Sequence, residues 1–412
     1  MKKILALLLA LCMVACLFVG CAETEPEAED TTEAPTEPDV TIDNSMKVAF
    51  VTDVGNIDDH SFNQYTYEGV TTFGEKYDIE TTYYKPSEDT DQAREDAINQ
   101  AIADGYNTIV MAGFLFGPAC AASAAQHPDV NFLALDVSAF DLGVDPIPSN
   151  VSLIVYKEEQ AGYLAGYAAV KAGYTELGYC GGMAVPAVVR YGYGFVQGAD
   201  AAAEELGVDV NLKYWYSGVF APNDEIVSKM DTWYVEGTEV VFACGGAIYQ
   251  SVVSAAESNE ALVIGVDVDQ SNISDTIITS AMKALSNSVI LALTSCGTNG
   301  WAWPEAYAGT CQSLGAAEDC VGLPMETSKL GDFGQAAYDA LFAAIVDGTV
   351  VIDDTSEAEV HPETAKVVVD WQQSKKMGAV NSLQKKQAVQ KCTACNFFPR
   401  QLRLFNSFSL IC

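Results

Sequence analysis

Met46-Lys47-Val48-Ala49-Phe50-Val51-Thr52-Asp53-Val54-Gly55-Asn56-Ile57-Asp58-Asp59-His60-Ser61-Phe62-Asn63-Gln64 opens as a strand and closes as the start of a helix. Lys47 to Thr52 is short, apolar and β-branched, and an Asp-Val-Gly turn ends it. Ser61 stands where an N-cap is expected, ahead of a helix predicted over Phe62 to Tyr77. A strand that passes through a polar turn into a helix is the first half of a βαβ unit. In doubly wound sheets ligands collect at the carboxyl ends of the strands. Asp53 lies at such an end, where a carboxylate can accept hydrogen bonds from hydroxyls, and Phe62 offers a flat face to a planar ring.

The same alternation continues outward. Strands are predicted at Glu80 to Tyr84, Thr108 to Ala112 and Asn131 to Leu135, with a helix over Asp91 to Asp104. After the apolar run Val151 to Tyr156 a second cycle begins with a helix over Glu158 to Ala172, whose small-residue face is Ala161, Gly162, Ala165 and Gly166. Strands at Glu176 to Gly181, Asn211 to Trp215, Val240 to Cys244 and Val263 to Val266 alternate with helices at Phe195 to Glu205, Asp224 to Thr232 and Gln250 to Ser258. Thr276 to Thr279 reads as a strand, and Ala284 to Gly297 and Phe333 to Asp347 read as helices. The expected fold is α/β, with two doubly wound parallel-sheet lobes joined by a hinge. Residues 46–155 with about 272–310 form the first lobe, and 156–271 with about 311–372 the second. A cleft between two such lobes is the default site for a small ligand.

The ends of the chain are of a different character. Lys2 and Lys3 precede the apolar run Ile4 to Val19, too short to span a bilayer comfortably and read as a signal peptide. Phe18-Val19-Gly20-Cys21 looks like a lipobox, and Cys21, at the switch from apolar to acidic sequence, is preferred over Cys16 as the lipidated N-terminus. Residues 22–45 are acidic and rich in Thr and Pro, and are expected to form a solvated tether. Residues 373–412 are basic, with no acid from Ser374 onward, and carry Cys392 and Cys395 without a second metal-ligand pair. This tail is set aside as atypical.

Net charge of −35 and a pI near 4.1 argue against nucleic-acid binding, which needs a basic face. Of twelve cysteines, six fall in the body, and Cys311 and Cys320 enclose a short loop in which a disulfide or two thiols are both open. His60, His127 and His361 have no metal-ligand spacing, and no phosphate-binding glycine loop or nucleophile elbow occurs. No metal, cofactor or catalytic residue is expected, and the chain is read as a binding protein rather than an enzyme.

The stretch from Val51 to Gln64 resembles the signature of the basic membrane protein family of bacterial lipoproteins, nucleoside-binding relatives of type I periplasmic binding proteins. Asn150 to Gly166 resembles that family's interlobe segment. Gly181-Gly182-Met183 with Gly194-Phe195 resembles the opening of its second lobe, and Ile264 to Gln270 its late strand. The resemblance runs in order over about Met46 to Ala344. It departs at His60, where the family commonly has Lys, and in a compact segment between Gly246 and Asp267.

The resemblance implies a lipid-anchored, extracytoplasmic, monomeric solute-binding protein that passes a purine nucleoside to the permease of an ABC importer. The base would lie between Phe62 and Phe220, with Tyr191 and Phe195 in reserve. Asp267 would accept from the diol, Lys283 would donate to a ring or hydroxyl oxygen, and Asp53, Ser61 and Asp136 would address the remaining polar atoms. Gly246 would let the backbone approach the ligand. A simple sugar, an autoinducer-like furanosyl compound or a branched amino acid are the other ligands such a fold hosts, and a receptor without transport is the other role.

Overall fold

The computed structural model describes residues 41–372. The signal peptide, the Cys21 lipobox, most of the tether and the basic tail lie outside the described residues.

The first lobe is built from β1 (Lys47–Val51), α1 (Phe62–Tyr77), β2 (Glu80–Tyr84), α2 (Asp91–Ala103), β3 (Thr108–Ala112), α3 (Gly117–Gln126), β4 (Asn131–Leu135), the short α4 (Ala139–Leu142) and β5 (Val151–Tyr156). The second begins with α5 (Glu158–Lys171), β6 (Glu176–Gly181), α6 (Pro186–Leu206), β7 (Val210–Tyr216), α7 (Asp224–Val235), β8 (Val240–Cys244), α8 (Tyr249–Asn259), β9 (Leu262–Asp267) and β10 (Ile277–Lys283). The chain ends with α9 (Leu285–Thr298), β11 (Thr310–Leu314), β12 (Val321–Gly322), α10 (Gln335–Val346) and β13 (Val367–Gln372). The sheets run β11-β5-β4-β3-β1-β2 and β12-β10-β9-β8-β6-β7-β13, parallel except for the antiparallel pairing of β12 with β10. Strands β3, β4 and β8 are buried along their whole length, as expected of parallel sheets covered on both faces.

The lobe boundaries differ from those read off the sequence. The sequence boundary near residue 310 divides Thr310–Leu314 between the lobes, but β11 pairs with β5 in the first sheet. Ile277–Lys283, placed in the first lobe, pairs in parallel with β9 in the second. Only residues 268–276 connect β9 to β10, less than the usual parallel crossover, so nothing local marks the two as neighbours. The chain therefore crosses between the sheets at 156–158, 283–285 and 314–316. These crossovers are tied together. The Lys157 amide donates to the Leu314 carbonyl at 2.9 Å and the Ala284 amide to the Cys320 carbonyl at 2.9 Å.

The tether also ends earlier than residue 45. Ile42 is buried against Gly297 of α9, and the Trp301 indole N–H donates to the Asp43 carbonyl at 2.7 Å. One apolar residue in an acidic run was enough to anchor it.

Helices α5 and α6 pack with their backbones almost touching. A Cβ on Gly162 would lie 2.0 Å from the Tyr191 carbonyl oxygen, and one on Gly194 1.9 Å from that of Glu159. The small-residue face of α5 thus meets a matching face on α6, a helix that starts nine residues before the expected Phe195. Its Pro186 falls in the first turn, where the missing N–H costs nothing.

Candidate functional site

Both sheets turn their carboxyl edges toward one cavity of about 640 Å³, within the range of small-ligand sites. Asp53, Phe62 and Asp136 line it from the first lobe, and Phe220, Gly246, Asp267 and Lys283 from the second. Ser61 is fully buried behind this lining. It sits at the N-cap position of α1 without capping it, because its hydroxyl donates across the lobes to the Asp267 carboxylate.

Asp59 caps α1 instead. Its buried carboxylate accepts from the amides of Ser61 at 2.9 Å, Asn63 at 3.1 Å and Gln64 at 3.0 Å, and from the Asn63 side-chain amide at 3.0 Å. The Asn63 amide also donates to Asp53 Oδ1 at 2.8 Å and accepts from the Asp53 N–H at 3.1 Å. The Gly55 N–H donates to the same Asp53 oxygen at 2.6 Å. Asp53 is therefore fixed by its own turn and by the first turn of α1. Burial pushes its carboxyl up to about 6 despite those two donors.

Asp136 and Asp267 occupy equivalent places, each just past or at the end of its strand, with left-handed φ of 57° and 69°. That conformation is least costly for Asp, Asn and Gly. The Lys283 ammonium joins them, 2.7 Å from Asp136 and 3.8 Å from Asp267. It also lies 3.3 Å from Glu158 and 4.6 Å from the centre of the Phe62 ring, a cation–π distance. Burial raises Asp136 to about 7 because it outweighs the lysine's pull, and burial likewise raises Asp267. The three carboxylates hold Lys283 firmly protonated although burial opposes it.

Phe220 lies over the glycines of the second lobe. A Cβ on Gly182 would touch its ring at 2.5 Å, and one on Gly246 would lie 3.3 Å from its carbonyl. Gly246 has φ +53° and Gly245 φ +153°, backbone that a side chain would strain. The first lobe repeats this turn after β3, where Gly113 has φ +107° and a one-turn 3₁₀ helix leads into α3. Of the two reserve aromatics, Tyr191 lines the cavity, whereas Phe195 is core, packed on Tyr179 and Phe242.

Asp136 Oδ1 and the Tyr191 hydroxyl are buried without a hydrogen-bond partner. Leaving such atoms unpaired costs about 1–3 kcal/mol each, so they favour a bound molecule with donors and acceptors of its own. Glu158 and Arg190 escaped the sequence reading. In the sequence Glu158 is only the first residue of a predicted helix, and Arg190, a cation in the apolar run Val185 to Tyr191, is the available signal. Cys311 and Cys320 are free thiols near the Val137 and Glu318 carbonyls, as are the other cysteines among the described residues. Among those residues no group of three or more His, Cys, Asp or Glu is placed to hold a metal, and no helix is long and apolar enough to cross a membrane.

Two parallel-sheet lobes with three crossovers and a shared, hydrogen-bonding cleft define a two-lobed solute-binding protein. The chain belongs to the family of PnrA-like ABC transporter substrate-binding proteins, whose model matches residues 46–341. The family is one of ABC transporter substrate-binding proteins, a binding role rather than an enzymatic one.

The chain is 30% identical over 242 residues to the ABC transporter nucleoside-binding protein BmpA of Lactococcus lactis, covering 56% of this chain and 66% of that one, just under two thirds. It is 26% identical over 293 residues to basic membrane protein A1 of Borrelia garinii, covering 70% and 79%. An ABC transporter solute-binding protein from Aeropyrum pernix shares its fold, with TM-score 0.65 and 18% identity over 84% of this chain and 98% of the other.

Proposed function

We propose that this chain is the lipid-anchored receptor of an ABC importer and that it binds a purine nucleoside, as a monomer, with the base between Phe62 and Phe220. The observation that carries this reading is that one aromatic ring from each lobe lines the same cavity as Asp53, Asp136, Asp267 and Lys283. A nucleoside presents a planar base, a vicinal diol and no formal charge. The rings suit the base, and the carboxylates suit hydroxyl hydrogens. The abundance of carboxylates disfavours a phosphate or a free amino-acid carboxylate, since like charges in a buried site repel. The name of the Lactococcus relative agrees with this ligand class.

Ligand contact with both lobes stabilises their closed arrangement, the form a permease can distinguish. Anchoring is assigned to Cys21. Calorimetry should show tight binding of purine nucleosides, weaker binding of free bases and no response to amino acids. Absence of binding by any nucleoside, or tighter binding of a simple sugar or furanosyl compound, overturns the ligand assignment. Cys21→Ala should abolish incorporation of labelled fatty acid, and retained label would place the anchor elsewhere.

A further inference from the structure

Behind the cavity wall a chain of charges connects the ligand site to the hinge. Glu158, the first residue of α5 after the 156–158 crossover, is fully buried and does not line the cavity. One of its oxygens lies 3.3 Å from Lys283 Nζ, at the 283–285 crossover, and the other accepts from Arg190 Nε at 2.6 Å. Arg190, on α6, does not line the cavity either. The close packing of α5 on α6 at Gly162 and Gly194 brings the arginine within reach.

We propose that Arg190 and Glu158 are positioning residues for the ligand site: Arg190 keeps Glu158 ionised and aimed at Lys283, and so sets the pH range in which the cleft carboxylates accept hydrogen bonds from a ligand. The consequence for the ligand rests on the proposed function, whereas the Arg190–Glu158–Lys283 relay does not.

The charge count gives the reason. Asp136, Glu158 and Asp267 surround Lys283, and Glu159 stands beside Glu158 with one oxygen buried and unpaired. Tyr156 from β5 and Tyr191 from α6 face the lysine at 5.1 and 5.9 Å and Cys244 closes the β8 side, all three uncharged at neutral pH. Burial works against an ionised Glu158, yet its carboxyl is held below the usual range because Arg190 and Lys283 outweigh that burial. Without Arg190 a single cation would face all these carboxylates. Their proton affinity would rise, and protonated carboxyls would be lost as acceptors.

The test compares the full chain with Arg190→Met, Arg190→Gln and Arg190→Lys, measuring adenosine and guanosine affinity by calorimetry from pH 5 to 8. A second readout is the carbon-13 carboxyl shift of Glu158 in ligand-free protein. In the Met and Gln variants the acid limb of affinity should move up by about one pH unit, leaving binding roughly tenfold weaker than wild type below it. Glu158 should titrate at higher pH, and Arg190→Lys should restore both toward wild type. Loss of packing alone would lower affinity without moving the limb. Coincident limbs, or an unmoved Glu158 titration, overturn the proposal. If wild type binds neither nucleoside the ligand reading falls, and the Glu158 titration still decides whether Arg190 governs the relay. Should the Met variant fail to fold, the Gln and Lys pair carries the same comparison.

Discussion

At the scale of single residues, the site divides into groups that face the cavity and groups that hold them. Phe62 and Phe220 belong to the first kind. Loss of aromatic stacking on a base costs about 1–3 kcal/mol, so Phe62→Ala and Phe220→Ala should each weaken nucleoside binding by roughly ten- to a hundredfold. The melting temperature should change little in the half-buried Phe62 variant, and unchanged affinity in both would reject the sandwich. Asp267→Ala should weaken binding as well, but it also strands the buried Ser61 hydroxyl and removes one of the carboxylates around Lys283. Its melting temperature should therefore fall too, which separates it from Phe62→Ala. Asp53, Asp136 and Asp267 were legible as strand ends from the alternation of elements, whereas the roles of Phe62, Phe220, Gly246 and Lys283 followed from the family resemblance. The holding residues were not legible. Glu158 and Arg190 stand behind the lining and Asp59 and Asn63 also reach it, but all four act through partners that pattern alone cannot assign.

At the scale of elements, the contact of α5 with α6 is the least tolerant feature. Gly194→Ala would put a methyl group 1.9 Å from the Glu159 carbonyl oxygen, against backbone that cannot rotate away. Overpacking of this kind costs about 1–3 kcal/mol and sometimes more. Thermal or urea denaturation should show that loss. Affinity should fall alongside it, because the same shift moves Arg190 away from Glu158. A variant with unaltered stability would mean that the helices can part freely. The small-residue face of α5 was visible as a pattern, whereas its partner on α6 was hidden by an apolar run with no clear start. The switch of β10 into the second sheet was hidden for a related reason, since strand pairing is non-local and β-branched runs suit either sheet.

At the scale of the whole molecule, buried carboxylates make stability and binding respond to pH in opposite directions. Asp53 at about 6, and Asp136 and Glu159 at about 7, hold protons in the folded state that the unfolded chain has already released. Their contribution is complete below about pH 4 and is lost as pH rises through 6 to 7. For Asp53 alone this amounts to about 3 kcal/mol at most. Glu158, shifted the other way, contributes above the unfolded carboxylate range and is constant in this window. The ligand-free protein should therefore melt at lower temperature at pH 8 than at pH 5.5. Nucleoside affinity should instead fall on acidification, because a protonated carboxyl cannot accept from a hydroxyl in the same way. A melting temperature that rises with pH would contradict the first expectation. Deleting residues 373–412 should leave affinity unchanged, since β13 ends at Gln372 and the cavity lining lies between Asp53 and Lys283. A loss of affinity would give the tail a role.

The sequence by itself determined the class of fold, the two lobes and the strand-end position of Asp53, Asp136 and Asp267, because these follow from local periodicity and turn chemistry. It also carried the order of motifs by which the family is known. Tertiary structure alone decided that Ser61 bonds to Asp267 rather than capping its helix, and that β10 and β11 exchange lobes. It also decided that Lys283 is shared among Asp136, Asp267 and Glu158. The reason in each case is that a buried polar group takes whichever partner the packing of distant segments brings to it, and no local pattern records that choice.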